Sequence, residues 1–392
     1  MTSELPLLET PANGIPDVVD TPEDLSSSIA SLAGANGPIA VDAERASGIR
    51  YGQRAFLVQL RREGAGTFLL DSETLGDLSD LNPALGSDEW VIHSVTQDLP
   101  CLQERGMRPA ALFDTELAAR LLGWEKFGLA AVAERTLGVR LAKEHSAADW
   151  STRPLPKEWL NYAALDVEVL LPIRDILHQQ LLDSDRWEFA QQEFAHLLDF
   201  TPKHFDEPWR RTHGLSKIRS RRDIARVREL WQARDAMARE ADLAPTKILR
   251  DRDLVALAQS GVKSSDDILT KWRRLSRAEA ARLFRAYRKA SRLTAEELPP
   301  KQEVGRQRRS PFSLTELKDR AAALKSAIAE RSEELSIPHD VLLQPALVKS
   351  LAARPIAVVD VADYLAEAGA RPWQIELSAP VLEKSLASLP RA

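Results

Sequence analysis

The first half of the chain contains five short apolar segments bounded by turn residues. Three of them, 38–44, 54–61 and 66–71, follow one another through short connections. This spacing predicts three strands in an antiparallel meander. Two more apolar segments, 90–94 and 111–115, predict a fourth and a fifth strand.

The longer segments of this half have helical periodicity. The first begins at Thr21-Pro22-Glu23-Asp24, with a capping threonine, a proline at the first helical position and acids in the first turn. The predicted helices are 22–34, 96–106, 115–123, 128–138 and 156–182. Strands followed by helices predict a mixed sheet flanked by helices, in an α/β domain of about 200 residues.

Beyond residue 205 the strand signals fade and helical periodicity dominates. Helices are predicted at 221–241, 252–259, 265–271 and 277–290. The proline-containing basic segment 298–311 is typical of a linker, and another helical block follows it. The two blocks resemble each other at an offset of 93 residues, with Pro245, Ile248, Leu249, Leu254 and Val255 matching Pro338, Val341, Leu342, Leu347 and Val348. We interpret them as a tandem duplication of one small helical module.

Composition narrows the class of protein. No apolar stretch is long enough for a membrane-spanning helix, and residues 1–20 lack the basic and apolar regions of a secretory signal. We expect those twenty residues to be a disordered tail. The single cysteine, Cys101, excludes an internal disulfide and a cysteine-built zinc site. We therefore expect a cytoplasmic protein.

Charge is distributed unevenly along the chain. Residues 1–200 carry a net charge of −16, residues 201–310 carry +13, and residues 311–392 carry −2. Clustered Lys and Arg can hold a polyanion such as a nucleic acid. The alternative is a solvated helical surface rich in arginine, and charge alone does not decide between the two.

Several carboxylates stand at the ends of the predicted elements. Asp42 and Glu44 are two apart on a strand, so they project to the same face, where they repel each other unless a cation or protons relieve them. Asp98 follows the fourth strand. Each acid alone is equally explained as a solvated strand-end residue or as a first-turn helix acid.

A second group lies on the longest predicted helix. Tyr162 and Asp166 are four apart, which places them on one helix face. A tyrosine beside a carboxylate can orient a water molecule, although a half-buried tyrosine on an amphipathic helix gives the same pattern. Asp114 is expected to cap its helix, and His93 to be a packed strand-end residue. Together, Asp42, Glu44, Asp98 and Asp166 predict a site for two divalent cations, Mg²⁺ or Mn²⁺, that serves phosphodiester hydrolysis.

The ordered set of motifs resembles a known family. The segments VDAE (41–44), HSVTQDL (93–99), LFDTELAARLLG (112–123), SAADWSTRPL (146–155) and NYAALDV (161–167) resemble the DEDDy 3′→5′ exonucleases, and in particular bacterial ribonuclease D. Residues 215–296 are similar to the helicase-and-RNase-D C-terminal (HRDC) module, and residues 312–390 to the second, more divergent module of that family. The resemblance implies an RNase H-like exonuclease domain followed by two all-α HRDC modules. The implied boundaries are an exonuclease domain at 21–203, a basic HRDC domain at 204–297, a linker at 298–311 and a second HRDC-like domain at 312–392.

The resemblance also implies roles for individual residues. Asp42, Glu44, Asp98 and Asp166 would hold the two metal ions, and Tyr162 would orient the attacking water. The activity would be 3′→5′ trimming of structured RNA, notably of tRNA 3′ trailers, by a monomer that releases nucleoside 5′-monophosphates. Candidate RNA contacts are Arg45, Arg50, Tyr51, Arg153, Arg221, Arg222, Lys271, Arg273 and Arg274.

Two other functions remain open at this point. The same carboxylate chemistry serves 3′→5′ DNA exonucleases, and a chain with this architecture can also be an inactive nucleic-acid-binding scaffold. The retained acids and tyrosine argue against the scaffold. The sequence has no G-x-x-x-x-G-K-[ST] motif, so we expect no nucleotide cofactor.

Overall fold

The computed structural model of the chain describes residues 5–142, 145, 147–300, 311–355 and 360–389. Its strands are β1 (Leu7–Leu8), β2 (Val18–Val19), β3 (Ile39–Arg45), β4 (Ala55–Arg62), β5 (Gly66–Leu70), β6 (Glu89–Ile92), β7 (Ala111–Asp114) and β8 (Arg140–Leu141). The main sheet has the order β2-β5-β4-β3-β6-β7. Strands β3, β4 and β5 form the expected antiparallel meander, whereas β6 and β7 run parallel to β3. The sheet is therefore mixed, as predicted.

The N-terminal segment differs from expectation. Strand β1 pairs in parallel with β8, and β2 pairs in parallel with the edge strand β5. The prediction of a disordered tail is therefore wrong for residues 5–20, while residues 1–4 lie outside the described part of the chain. The pairing segments are only two residues long, too short for a periodic signal in the sequence.

Helices cover both faces of the main sheet. They are α1 (Pro22–Ala33), α2 (Ser72–Leu75), α3 (Asn82–Leu85), α4 (Val95–Glu104), α5 (Thr115–Leu121), α6 (Leu129–Leu137), α7 (Lys157–Asp183) and α8 (Trp187–Leu198), with a 3-10 turn at Ser79–Leu81. Thr21 caps α1 through a bond from the Asp24 amide, and Gly34 ends it, as the sequence predicts. The long helix α7 packs on the centre of the sheet, against β3, β4 and β5.

In the described part of the C-terminal half, the helices form two modules with five helices each. After 3-10 turns at Pro208–Arg211 and Leu215–Lys217, the first module contains α9 (Arg221–Glu240), α10 (Pro245–Ile248), α11 (Asp251–Gln259), α12 (Ser265–Lys271) and α13 (Arg277–Arg292). The second module contains α14 (Leu314–Leu335), α15 (His339–Leu342), α16 (Pro345–Ala352), α17 (Val361–Glu367) and α18 (Pro372–Ala387). Over the residues that the structure describes, each module has a long helix, then a short turn of helix, then three further helices, which agrees with the predicted duplication. Most of the predicted linker, residues 301–310, lies outside the described residues.

The two modules are attached differently. One hydrophobic core contains both the sheet residues and second-module residues such as Leu324 and Trp373, whereas the first module has a core of its own. Trp373 stacks on Phe189 of α8, and its indole donates to Glu193. Gly123, with a φ of 78°, lies so close to the Ser336 carbonyl that a side chain there would collide with it. The second module is therefore structurally fused to the α/β domain.

Among the described residues, no helix combines the length and the apolar character needed to cross a membrane.

Candidate active site

Strand β3 presents two carboxylates on one face of the sheet. Asp42 and Glu44 alternate with Ala43, which points into the core and is 5% exposed. The strand lies in the middle of the sheet, paired with β4 on one side and β6 on the other. The β6 ladder ends at Ala40, whereas the β4 ladder continues through both acids, with Asp42 opposite Gln59 and Glu44 opposite Leu57. Pairing with β4 therefore holds the backbone beneath both acids and fixes their direction.

Helix α7 adds the third carboxylate. Asp166 is buried where α7 crosses β3, and ligand oxygens of Asp42, Glu44 and Asp166 all lie within 4.8 Å of one another. The structure thus brings Asp166 next to two acids that precede it by more than a hundred residues in the sequence. Oxygen ligands at this spacing suit a hard divalent cation such as Mg²⁺ or Mn²⁺.

Asp98 approaches the same cavity from α4. It is 5% exposed, its side chain is hydrogen-bonded to that of Asp42, and it forms an ion pair with Arg45 at 3.2 Å. Arg45 also donates to the Gln97 carbonyl at 2.8 Å. Asp98 therefore borders the three-carboxylate cluster, and Arg45 supplies the positive charge closest to it.

The electrostatics of these acids favour a bound cation. Burial raises the pKa of Glu44 well above its usual range, and the charges of Asp42, Asp166 and Asp98 raise it further. Burial also raises the pKa values of Asp42 and Asp98. Converging carboxylates that resist ionisation are stabilised when a divalent cation neutralises them, so the donor set fits a metal centre.

Tyr162 lies on the same face of α7, one turn before Asp166, and its hydroxyl is hydrogen-bonded to Asp166. Burial and the neighbouring carboxylates raise its pKa far above neutrality, so the hydroxyl stays protonated. Its ring packs against the fully buried Trp150, with ring centroids 6.3 Å apart. Tyr162 can therefore orient a water molecule by hydrogen bonding.

Arg153, one of the predicted RNA contacts, is engaged within the domain. Its guanidinium donates to the Asp71 carboxylate at 2.5 and 2.8 Å, and to the carbonyls of Phe56 and Trp150. These bonds anchor the loop that carries Trp150 beneath Tyr162. These contacts are structural.

Asp114 has a larger role than the predicted helix cap. Its carboxylate accepts bonds from the Glu116 and Leu117 amides at the start of α5, as expected of a cap. It also accepts from the Ser94 and Val95 amides, at 3.2 and 2.9 Å, where α4 begins. Ser94 has a φ of 64°, an uncommon conformation for a residue other than glycine. Asp114 therefore joins two helix N-termini and fixes the helix that carries Asp98.

The acids line an open cavity of about 660 Å³. Its other lining residues include Ser47, Gln53, His93, Glu116 and Leu129. The sequence singled out His93 only as a packing residue and gave no signal for Glu116, which follows a predicted helix cap. Burial lowers the pKa of His93 to about 4, so its ring is neutral and bonds to the Thr115 hydroxyl at 2.8 Å.

The remaining predicted RNA contacts lie in three places. Arg50 and Tyr51 are in the loop after β3, against the first module. The guanidinium groups of Arg221 and Arg222 donate to backbone carbonyls at and beyond the end of α13. A further group of cations is exposed around a cavity of about 300 Å³ beside Trp272, and it contains Lys247, Arg250, Arg252, Lys271, Arg273 and Arg274.

Fold and site together define a class of protein, namely a nuclease whose α/β domain gathers acids around a reacting phosphodiester. Residues 16–182 match the 3′-5′ exonuclease family, residues 223–279 match the HRDC domain, and residues 306–386 match the 3′ to 5′ exonuclease C-terminal domain. The ribonuclease D of Acidiphilium cryptum is 30% identical over 339 residues, which cover 81% of each chain. The chain belongs to the ribonuclease D family, and it is a 3′→5′ exoribonuclease with an RNA substrate.

Solved structures agree with this assignment along the whole chain. The crystal structure of Escherichia coli RNase D, described as an exoribonuclease involved in structured RNA processing, has a TM-score of 0.70 at 25% identity and covers 96% of this chain and 99% of its own. A protein from Bifidobacterium adolescentis reaches a TM-score of 0.88 at 36% identity, covering 98% of this chain and all of its own. The arrangement of α/β domain and helical modules is therefore shared by relatives.

Proposed function

We propose that this exoribonuclease trims structured RNA, including tRNA precursors with a 3′ trailer, by a two-metal mechanism. The observation that supports it most strongly is the convergence of Asp42, Glu44 and Asp166 within 4.8 Å, with Asp98 bonded to Asp42 beside them. Structured RNA is the substrate class named for the Escherichia coli relative. The products would be nucleoside 5′-monophosphates.

Each side chain of the site has a part in this proposal. The two cations would be held by four carboxylates, those of Asp42, Glu44, Asp98 and Asp166. Two bound divalent cations supply an activated water and stabilise the leaving oxygen. Tyr162, which stays protonated, would hold the attacking water in line by hydrogen bonding. Arg45 would exchange its contact with Asp98 for the phosphate of the terminal nucleotide.

The domain organisation belongs to the same proposal. We assign the exonuclease domain to 21–203, the basic HRDC domain to 204–297 and the second HRDC-like domain to 312–392, joined by 298–311. The exonuclease half carries a net charge of −16 and the middle segment +13. The first module therefore supplies the positive charge that a polyanionic substrate requires.

The RNA-binding surface we propose is the cavity beside Trp272, where Lys271, Arg273 and Arg274 are exposed. Removing Lys271 should weaken RNA binding and reduce the slope of log affinity against log salt by about one. The matched control is Arg285→Ala, which removes an exposed cation of the same module outside this cavity. Equal effects of the two substitutions would show that general charge, and not this surface, holds the RNA.

The function is tested with a tRNA carrying a short 3′ trailer and a DNA strand of matched sequence. Each is incubated with Mg²⁺ or Mn²⁺, and with EDTA as a control. We expect stepwise release of 5′-monophosphates from RNA, none of it with EDTA, and little loss from DNA. Asp42→Asn should abolish hydrolysis while Asp80→Asn, an exposed acid outside the cavity, should not.

Preferential cleavage of DNA would reassign the protein as a DNA exonuclease. Binding of RNA without hydrolysis of either strand would show an inactive scaffold. Hydrolysis that persists in Asp42→Asn would refute the assignment of the metal ligands.

A further inference from the structure

The loop between β3 and β4, residues 46–54, borders the active-site cavity. Ser47 and Gln53 line the cavity and are bonded to each other at 2.8 Å. Arg45, at the end of β3, lines it as well. The inner side of this loop is therefore positioned to touch a substrate that reaches the carboxylates.

The outer side of the same loop is held by the first helical module. Arg54 donates from Nη1 and Nη2 to the two carboxylate oxygens of Asp242, at 3.0 and 2.8 Å. Arg50 approaches Asp242 at 3.5 Å, and the Ala244 amide donates to the Ile49 carbonyl at 2.9 Å. One carboxylate of the module thus engages two arginines of the loop.

Tyr51 makes a second attachment a few residues away. Its ring packs against the hydrophobic core of the first module, and its hydroxyl donates to Asp235 at 3.1 Å. The guanidinium of Arg239 lies 5.4 Å from the ring centre and donates to the hydroxyl. Helix α9 and the turn after it therefore hold the tip of the loop.

This attachment joins two separate cores by a mainly polar contact. The first module has its own core, whereas the sheet shares its core with the second module. Asp42 and Glu44 are fixed by the pairing of β3 with β4, and α7 packs across β3, independently of the loop. Releasing the loop would therefore disturb the rim of the cavity and leave the carboxylates in place.

We infer that Asp242 and Asp235 of the first module are positioning residues for the substrate, because they hold loop 46–54 so that Ser47, Gln53 and Arg45 form the rim of the active site. The inference rests on the proposed function of that site. It makes the first module part of the site that receives the 3′ end, in addition to any RNA bound on its basic surface. It also predicts that the module matters for short oligonucleotides that cannot reach that surface.

The test compares Asp242→Asn with Glu240→Gln in the full chain. Asp242 has a φ of 49°, which asparagine tolerates, so the substitution removes the charge without straining the backbone. Glu240 pairs with Arg282 of the same module, which gives a matched loss of one carboxylate away from the loop. A second variant, Tyr51→Phe, removes the bond to Asp235 and keeps the ring.

Two experiments are done on each variant: steady-state kinetics, giving kcat and KM on a short single-stranded RNA with Mn²⁺, and amide hydrogen exchange of peptides spanning 46–54. We expect Asp242→Asn to raise KM about three- to tenfold, with kcat changed by less than about twofold. Exchange in the loop should become faster. Tyr51→Phe should likewise raise KM and make exchange in the loop faster, and Glu240→Gln should change neither KM nor the exchange.

The inference is overturned if Asp242→Asn and Tyr51→Phe behave like Glu240→Gln. It is also overturned if KM rises without faster exchange in the loop, because the effect would then reach the substrate by another route. A wild-type protein that hydrolyses no RNA would refute the proposed function instead. The hydrogen-exchange comparison would still decide whether the module holds the loop.

Discussion

Replacing Glu44 by glutamine should stabilise the protein without metal and remove its response to metal. Glu44 is 7% exposed, and one of its carboxylate oxygens lies within 4.8 Å of carboxylate oxygens of Asp42 and Asp166. At pH 7 its ionised form adds a charge to a cluster that already repels it. A glutamine of similar size has no charge, and its amide can donate hydrogen bonds to the acids that remain.

The magnitude follows from the raised pKa of Glu44. A group whose pKa is higher in the folded than in the unfolded protein destabilises the fold once the pH rises through the folded value. Each unit of such a shift corresponds to about 1.4 kcal/mol. We therefore expect the Glu44→Gln variant in EDTA at pH 7 to be more stable than the wild type, by this amount for each unit by which the folded protein raises the pKa. The difference should disappear below about pH 4.5, where the wild-type residue is protonated in both states.

Metal reverses the order of the two proteins. A ligand that binds only the folded state stabilises it by about 2.7 kcal/mol when its concentration is one hundred times the dissociation constant. The wild type should gain this increment with saturating Mn²⁺. Glu44→Gln lacks one of the three clustered carboxylates, so it should gain far less.

The assay is urea unfolding in EDTA and in Mn²⁺, with Glu63→Gln as a control that removes an exposed glutamate in the turn after β4. The control should leave both the stability and the metal response unchanged. A Glu44→Gln variant that is less stable than the wild type in EDTA at pH 7 would refute the reasoning, because the carboxylate would then contribute more than it costs. An unchanged metal response would show that the ions bind elsewhere.

Further predictions concern the groups around this cluster. Asp114→Asn places an amide nitrogen, which cannot accept a hydrogen bond, toward the start of α4, and it should lower kcat/KM about tenfold or more. Asp360→Asn should not lower kcat/KM, because a single oxygen of the Asp360 carboxylate accepts both hydrogen bonds of that helix cap and asparagine keeps one such oxygen. Burial lowers the pKa of His93 to about 4, so between pH 6.5 and 4 the unfolded chain takes up a proton that the folded protein does not. Between pH 7 and 5 the wild type should therefore lose about 2 kcal/mol of stability that His93→Gln keeps, as measured by urea unfolding. Trp373→Ala removes a 1% exposed ring stacked on Phe189, and it should destabilise the α/β domain as well as the second module, by about 3–5 kcal/mol in thermal or urea unfolding. Active protein with unchanged stability would contradict the shared core.

Much of the fold could be predicted from the sequence because its signals are local. Apolar strands of five or more residues, such as β3 and β4, give a pattern that turn residues bound clearly. The two-residue strands β1 and β2 give none, because they are fixed by the edges they pair with. The duplication was visible because each module repeats a proline between a long and a short helix.

The site was predictable in its residue types and only partly in its contacts. Asp42 and Glu44 share a strand face, and Tyr162 and Asp166 share a helix face, so their spacing carried the information. The convergence of strand and helix depends on the packing of α7 across β3, which no local pattern encodes. For the same reason the sequence could not show that Arg221 and Arg222 donate hydrogen bonds to backbone carbonyls at and beyond the end of α13.

The unequal charge of the chain has a physical consequence for how RNA reaches the site. An acidic domain repels a polyanion, but salt screens that repulsion beyond about 10 Å. A compensating positive charge is therefore effective only when it lies near the place where the 3′ end enters. The first module carries much of the net charge of +13 in residues 201–310, and it is attached to the loop that borders the cavity. Attachment at that loop, in preference to the far side of the domain, lets one basic module both attract the RNA and hold the rim through which its 3′ end reaches Asp42 and Glu44.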